Sequence, residues 1–288
     1  MSVKSAFLAL CIFCVSTSIR AQEVLVMTDS HAFIEQVSTN NGVGTISSVY
    51  DLLYQRIGLP KNLAYVPLNR QNRLLELGEE PLCTLYRFKT KEREQRYFFS
   101  KPIYFLLHYK LYQQSDLPPL PSEILNEDGE LISLNALADA LPDSTFLLLP
   151  EFSYGNVLDP QIDALPNQST LTWSGNEAHN RLSVLFLSRR GDFALMFPSE
   201  VFALGKVNPQ LRYRSYSVAG VPSATFGYMM CTKHEATQRY IEEVNAAMSE
   251  IYRSDDYLNA HFDFNRASER DTIIKSHAIL MEMVSSNH

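Results

Sequence analysis

Two rhythms of hydrophobic positions alternate along the chain. Short apolar blocks at residues 23–27, 63–66, 82–86, 144–149, 191–196, 211–216 and 225–231 have the length and composition of buried strands. Between them, apolar residues recur at helical spacing. In residues 45–57 these are Ile46, Val49, Leu52 or Leu53 and Ile57, and the helix closes at Gly58 with Pro60 beyond it. Further helices are expected at about 69–77, closed by Gly78, and at 134–140, 176–188, 254–262 and 271–284. Thr232-Lys233-His234-Glu235 has the form of a capping box. It opens a helix whose Tyr240 or Ile241, Val244, Ala247 or Met248 and Ile251 make one core-facing stripe. Residues 105–112 read as a single strand, with His108 and Lys110 facing away from Phe105, Leu107, Tyr109 and Leu111.

Residues 1–21 carry Lys4, a short apolar run and small or polar residues up to Ala21, the pattern of a secretory signal peptide. The run is too short to span a bilayer. Neither Cys11 nor Cys14 follows the small residue a lipoprotein signal requires, so a soluble exported protein is expected. Removing Lys4 and Arg20 leaves 23 basic against 32 acidic side chains, a net charge of −9, which argues against nucleic acid and anionic membrane as partners. The remaining 267 residues exceed what one compact core serves, and two lobes are expected. Two cysteines remain, Cys83 and Cys231, and their spacing allows one disulfide or two separate thiols.

The richest chemistry lies after the third apolar block. Thr90 is placed to cap a short helix, and Arg93 follows three residues later. A guanidinium fork beside unpaired N–H groups makes a site for a carboxylate or another anion. Upstream, Asp29, His31 and Phe33 follow the first strand, at the end where open α/β sheets bind ligands. Arg70 and Arg73 sit early in the helix at 69–77, where a cation opposes the helix dipole and an anionic neighbour would explain it. No metal-ligand spacing, nucleophile elbow, phosphate-cradling glycine loop or Cys-x-x-Cys occurs in the mature chain, so binding is favoured over catalysis, with no cofactor and no metal.

Gly78-Glu79-Glu80-Pro81, then Thr90-Lys91-Glu92-Arg93, then Phe99-Ser100-Lys101-Pro102-Ile103-Tyr104 follow one another in the order of a known signature. The chain resembles the family 3 extracellular solute-binding proteins, the polar-amino-acid type of periplasmic binding protein, as a divergent member. The resemblance implies the type II fold: α/β, two lobes, each a mostly parallel sheet flanked by helices, joined by two crossover strands. Residues 22–112 and 228–288 would form lobe I, with a C-terminal helical extension, and 113–227 lobe II. It implies that Cys83 and Cys231 lie on neighbouring strands and form a disulfide. It also implies Arg93 on a ligand carboxylate, with N–H groups near Thr90 and, from the other lobe, Ser153 beside Tyr154. Tyr86 and Phe88 stand where the family has small hydroxyl residues; with Phe33 they would line an apolar part of the site. Glu200 lies near the place of the family's acidic partner for a ligand ammonium. The implied function is a monomeric periplasmic protein that closes on a small carboxylate-bearing ligand, an amino acid, small peptide or related organic acid, for ABC-type uptake through a membrane permease. Alternatives are a sensing accessory protein that presents its bound form to a membrane receptor, and a dehydratase-type enzyme on the same scaffold.

Overall fold

The computed structural model describes residues 23–149, 153–172 and 178–286, so the expected signal peptide lies outside the described residues. The chain begins with strand β1 (Leu25–Thr28), helices α1 (His31–Thr39) and α2 (Thr45–Ile57), strand β2 (Asn62–Tyr65), helix α3 (Leu68–Leu77) and strand β3 (Leu82–Arg87). It continues through α4 (Lys91–Arg96), β4 (Phe98–Phe99), β5 (Tyr104–Leu107), β6 (Lys110–Gln114), α5 (Leu134–Ala140), β7 (Phe146–Leu148) and α6 (Asp159–Asp163). Then come β8 (Thr170–Thr172), α7 (Ala178–Leu187), β9 (Phe193–Met196), α8 (Pro198–Val207), β10 (Tyr213–Tyr216) and β11 (Ala224–Cys231). Helices α9 (Glu235–Ile251), α10 (Asp255–Phe262) and α11 (Arg270–Ser285) follow.

These strands form two sheets, ordered β2-β1-β3-β11-β4, with β5 also paired to β11, and β10-β6-β9-β7-β8. The two-lobed α/β arrangement is the observed one, but each sheet is mixed. Three strands run parallel in each, β2-β1-β3 and β9-β7-β8, and the remaining pairs are antiparallel. Antiparallel pairing follows from the crossings, because β11 returns to the first sheet against the direction of β3, β4 and β5.

Three local expectations are corrected. Residues 105–112 are two strands: β5 pairs with β11 in the first sheet and β6 pairs with β9 and β10 in the second, and the chain changes sheet at His108 and Tyr109. A periodic pattern shows burial of each residue but not which sheet buries it. His31 and Phe33 belong to α1, which Ser30 caps by accepting the Phe33 N–H at 3.1 Å. The cap of α9 is His234, with Thr237 Oγ1 accepting its N–H at 3.3 Å. Thr232 is buried and cross-links instead, accepting the Leu82 N–H and donating to Glu80 O.

Cys83 faces Cys231 in the β3–β11 register, their Cα atoms 4.0 Å apart, and the disulfide is formed. Just beyond it the ladder slips: Thr84 faces Met230 and Arg87 faces Tyr228, so β3 carries one extra residue. That residue region contains Tyr86, whose φ of 61° lies in the left-handed region an L side chain rarely adopts. Without the bulge, Thr84 and Arg87 would point to opposite faces of the sheet. With it, both side chains reach Gln71 Oε1 on α3, while Tyr86 turns to the other face and packs edge-on against Phe33 and Tyr50.

On the crossing strand, Tyr104 faces Gly227. A Cβ at Gly227 would lie 2.1 Å from Tyr104 Cζ, so the glycine is what lets the ring lie across β11. The last helix, α11, packs on α10 and on β5 of the first sheet. The segment between α10 and α11 touches the second sheet, through a Glu269 to Lys110 ion pair at 3.0 Å and Arg266 over the Tyr213 ring.

Candidate ligand-binding site

The carboxyl ends of β1 and β3 gather the first group of predicted residues. α4 has six residues, and its cap forms as read: Thr90 Oγ1 accepts the Arg93 N–H at 3.3 Å. The first turn of α4 holds Glu92 and Glu94, so the helix end itself opposes an anion, and the positive feature is the Arg93 side chain. Arg93 is half-buried, and its Nη1 donates to Phe88 O at 3.0 Å, which fixes the guanidinium beside the end of β3.

Arg87, which the sequence reading passed over, is the second cation here. It is buried at 9% exposure, with Nη2 donating to Gln71 Oε1 at 2.9 Å and Nε buried without a partner. Gln71 is held in turn, because its Nε2 donates to Val66 O at 2.7 Å and its Oε1 also accepts from Thr84. Burial, and then the neighbouring Arg93, push the Arg87 guanidinium down to about 10; Asp29 and Tyr104 act the other way. Arginine in a strand reads as an exposed edge, and only the bulge turns it inward.

Asp29 is half-buried at the end of β1, in electrostatic reach of Arg87, Tyr86 and Tyr104. The Tyr86 and Tyr104 hydroxyls are pushed up by burial, and Tyr86 OH accepts from Thr28 Oγ1 at 3.4 Å. Phe33 is 5% exposed and supports Tyr86 from beneath, a core role rather than a lining one. Phe88 is half-buried and contributes its carbonyl to Arg93. His31 is exposed and stacks on Tyr65 at 3.8 Å. Arg70 is exposed on α3, and the buried residue of that turn is its neighbour Gln71.

The second group lies in the turn after β7. Ser153 Oγ donates to Asp159 Oδ2 at 2.6 Å and accepts the Gly155 N–H at 3.2 Å, and the Tyr154 N–H donates to Asp159 Oδ1 at 2.6 Å. The two donors expected to hold a ligand carboxylate are therefore on the chain's own carboxylate. Tyr154 is 2% exposed, its OH accepting the Leu149 N–H at 2.7 Å. Glu200, near the place the resemblance gives to a partner for a ligand ammonium, accepts the Phe197 N–H at 2.9 Å and caps α8.

The crossing joins these groups. Tyr104 reaches the first, while the His108 ring lies against Gly155 of the second, its Nε2 3.4 Å from where a Gly155 Cβ would be. Four residue steps of extended chain separate Tyr104 from His108, roughly 13 Å at about 3.3 Å per step. His108 accepts the Tyr109 N–H on Nδ1, and burial pushes its pKa down to about 4, so it is neutral. Tyr109 stacks on Phe197 at 3.9 Å and tilts against Tyr154. Among the described residues no cluster of three or more His, Cys, Asp or Glu could hold a metal ion, and no helix is long and apolar enough to cross a membrane.

No protein-family profile matches the chain, and no curated protein matches it. Solved structures do. The arginine-, lysine-, histidine-binding protein ArtJ from Geobacillus stearothermophilus superposes with a TM-score of 0.57 at 14% identity, over 86% of this chain and 98% of that one. A mutant of ArgBP from T. maritima gives 0.54 at 16% identity, over 85% and 95% of the two chains. An amino acid ABC transporter substrate-binding protein, AbpA from Streptococcus pneumoniae bound to L-arginine, gives 0.52 at 16% identity, over 88% and 96%. At these identities the likeness is one of fold, and the chain folds as these solute-binding proteins do.

Proposed function

We propose that the protein is a periplasmic solute-binding protein whose two lobes close on a small carboxylate-bearing ligand, an amino acid, small peptide or related organic acid. It acts as an exported monomer and passes the ligand to an ABC-type permease. The two lobes are hinged at the two crossings between the sheets, after β5 and before β11. One observation carries the reading: Arg93 is locked by Phe88 O beside the buried Arg87, at the carboxyl ends of parallel strands, where α/β sheets bind ligands. Arg93 takes the ligand carboxylate, with Thr90 holding α4 in place and Tyr86 and Phe88 fixing the floor. The fold it shares with binding proteins supports the same reading over catalysis.

A thermal-shift screen of ligand-stripped protein against amino acids, short peptides and aliphatic or aromatic carboxylates tests it. A ligand at about a hundred times its dissociation constant adds roughly 2.7 kcal/mol to stability. The expected result is a shift in wild type that a folded Arg93→Ala variant lacks. A shift that survives Arg93→Ala would move the site elsewhere, and no shift over the whole panel would sink the reading.

A further inference from the structure

Arg87 and Asp29 are the two charged groups at this site that carboxylate binding by Arg93 leaves unused. A charge taken from water is costly unless it is paired. Arg87 is nine-tenths buried, yet among the described residues no acid lies within 4.0 Å of it, and its side chain bonds only to the neutral Gln71. Its position is built: the bulge at Tyr86 turns it to the α3 face, and Gln71, fixed on Val66 O, holds one end of the fork. The Phe88 carbonyl, one residue along the chain, fixes Arg93 beside it. Arg93 and Asp29 thus stand within electrostatic reach of Arg87, at the ends of β3 and β1.

We propose that Arg87 is a second anion-binding residue of this site, so that the ligand carries two anionic groups, for Arg93 and Arg87, and one cationic group, for Asp29. The inference rests on the solute-binding reading above. An amino dicarboxylic acid has that complement of charges. A ligand with a second cationic group, such as the arginine named with the structural neighbour AbpA, would set like charges together here. The mutual repulsion of the two arginines is relieved when each receives an anion, so the ligand's second carboxylate supplies the close counter-ion that no described residue places within 4.0 Å of Arg87.

The test is calorimetric titration of the ligand-stripped full chain with isosteric pairs, glutamate against glutamine and aspartate against asparagine, in wild type, Arg87→Gln, Arg87→Lys and Arg93→Ala. Wild type is expected to bind one of the acids at least tenfold more tightly than its amide. Arg87→Gln is expected to reduce that preference to twofold or less, Arg87→Lys to retain part of it, and Arg93→Ala to weaken acid and amide together. The wild-type comparison needs no variant to fold. Equal or tighter binding of the amides, or binding of monocarboxylates alone, overturns the proposal and leaves the solute-binding reading standing. Acid preference that persists in folded Arg87→Gln also overturns it. Absence of binding to every member overturns the proposal, and the solute-binding reading falls with it only if the thermal-shift panel is silent as well.

Discussion

The two walls joined by the crossing use their polar groups in opposite ways. On the first wall, Arg87 is buried with an unpartnered Nε, Tyr86 sits in a left-handed conformation, and Asp29 and Arg93 stand near it without an ion pair among the described residues. On the second, Ser153, Tyr154 and Asp159 satisfy one another, and Glu200 caps its own helix. The first wall also carries the disulfide and the bulge. Strain and unpaired charge persist where surrounding structure holds them, and they gather where a ligand is bound. The first wall therefore has the features of a preformed recognition surface, and the second those of a surface whose polar groups are already satisfied.

Cutting the cross-link tests this contrast most strongly. Cys83→Ser with Cys231→Ser opens a covalent loop spanning 148 residues, and the chain-entropy limit for such a loop is about 5 kcal/mol. The expected outcome in calorimetry is that a single melting transition splits, with the first lobe unfolding first. A uniform shift of one transition would mean that the lobes share their stability.

Acidification should act on the same side. His261 is 1% exposed, packed on Phe105 of the crossing strand, with one ring nitrogen on Tyr257 O and the other facing the Phe105 N–H. Burial pushes its pKa down to about 4, against an ordinary value near 6.5. Below pH 6.5 the unfolded chain takes up a proton that the folded chain refuses until about pH 4. This contribution to stability is therefore complete above pH 6.5 and is lost as pH falls through that window, by of order 3 kcal/mol. Denaturant melts at pH 7.5 and 4.5 should show the loss in wild type and a smaller one in His261→Gln.

Gly227→Ala places a methyl group into the Tyr104 ring and should cost about 1–3 kcal/mol, the range for overpacking. It should also weaken ligand binding if Tyr104 helps to shape the first wall, which titration of the folded variant would read. The smallest expected effect belongs to the second wall. Asp159→Ala releases Ser153 Oγ and the Tyr154 N–H and should cost about 1–2 kcal/mol in a thermal melt, while affinity changes less than threefold. A marked gain in affinity would show that those two donors serve a ligand once freed, and would erase the contrast.

Much of this was legible in the residues. The cap of α4 by Thr90, the closure of α2 and α3 at Gly58 and Gly78, and most strand and helix positions follow from contiguous patterns. Arg93 was legible because its motif is local. Arg87 was not, since its inward direction depends on an extra residue counted against β11, more than a hundred positions away. The internal partners of Glu200 and Ser153 were hidden for a related reason: a polar side chain near a helix start reads the same whether it caps the helix, as Glu200 does, or bonds a neighbour such as Asp159, as Ser153 does. Thr232 looked like a cap because the four-residue pattern fits, but its hydroxyl satisfies backbone groups around β3.

The sequence by itself determined the helix caps and closures, most element positions and the place of the first arginine, because spacing, capping and turn chemistry act over a few neighbouring residues. Only the tertiary structure decided that residues 105–112 divide between two sheets, that Tyr86 bulges, and that Arg87 joins Arg93 and Asp29. The direction of a side chain at a strand end depends on register with a distant partner, and that register is set when the two strands meet.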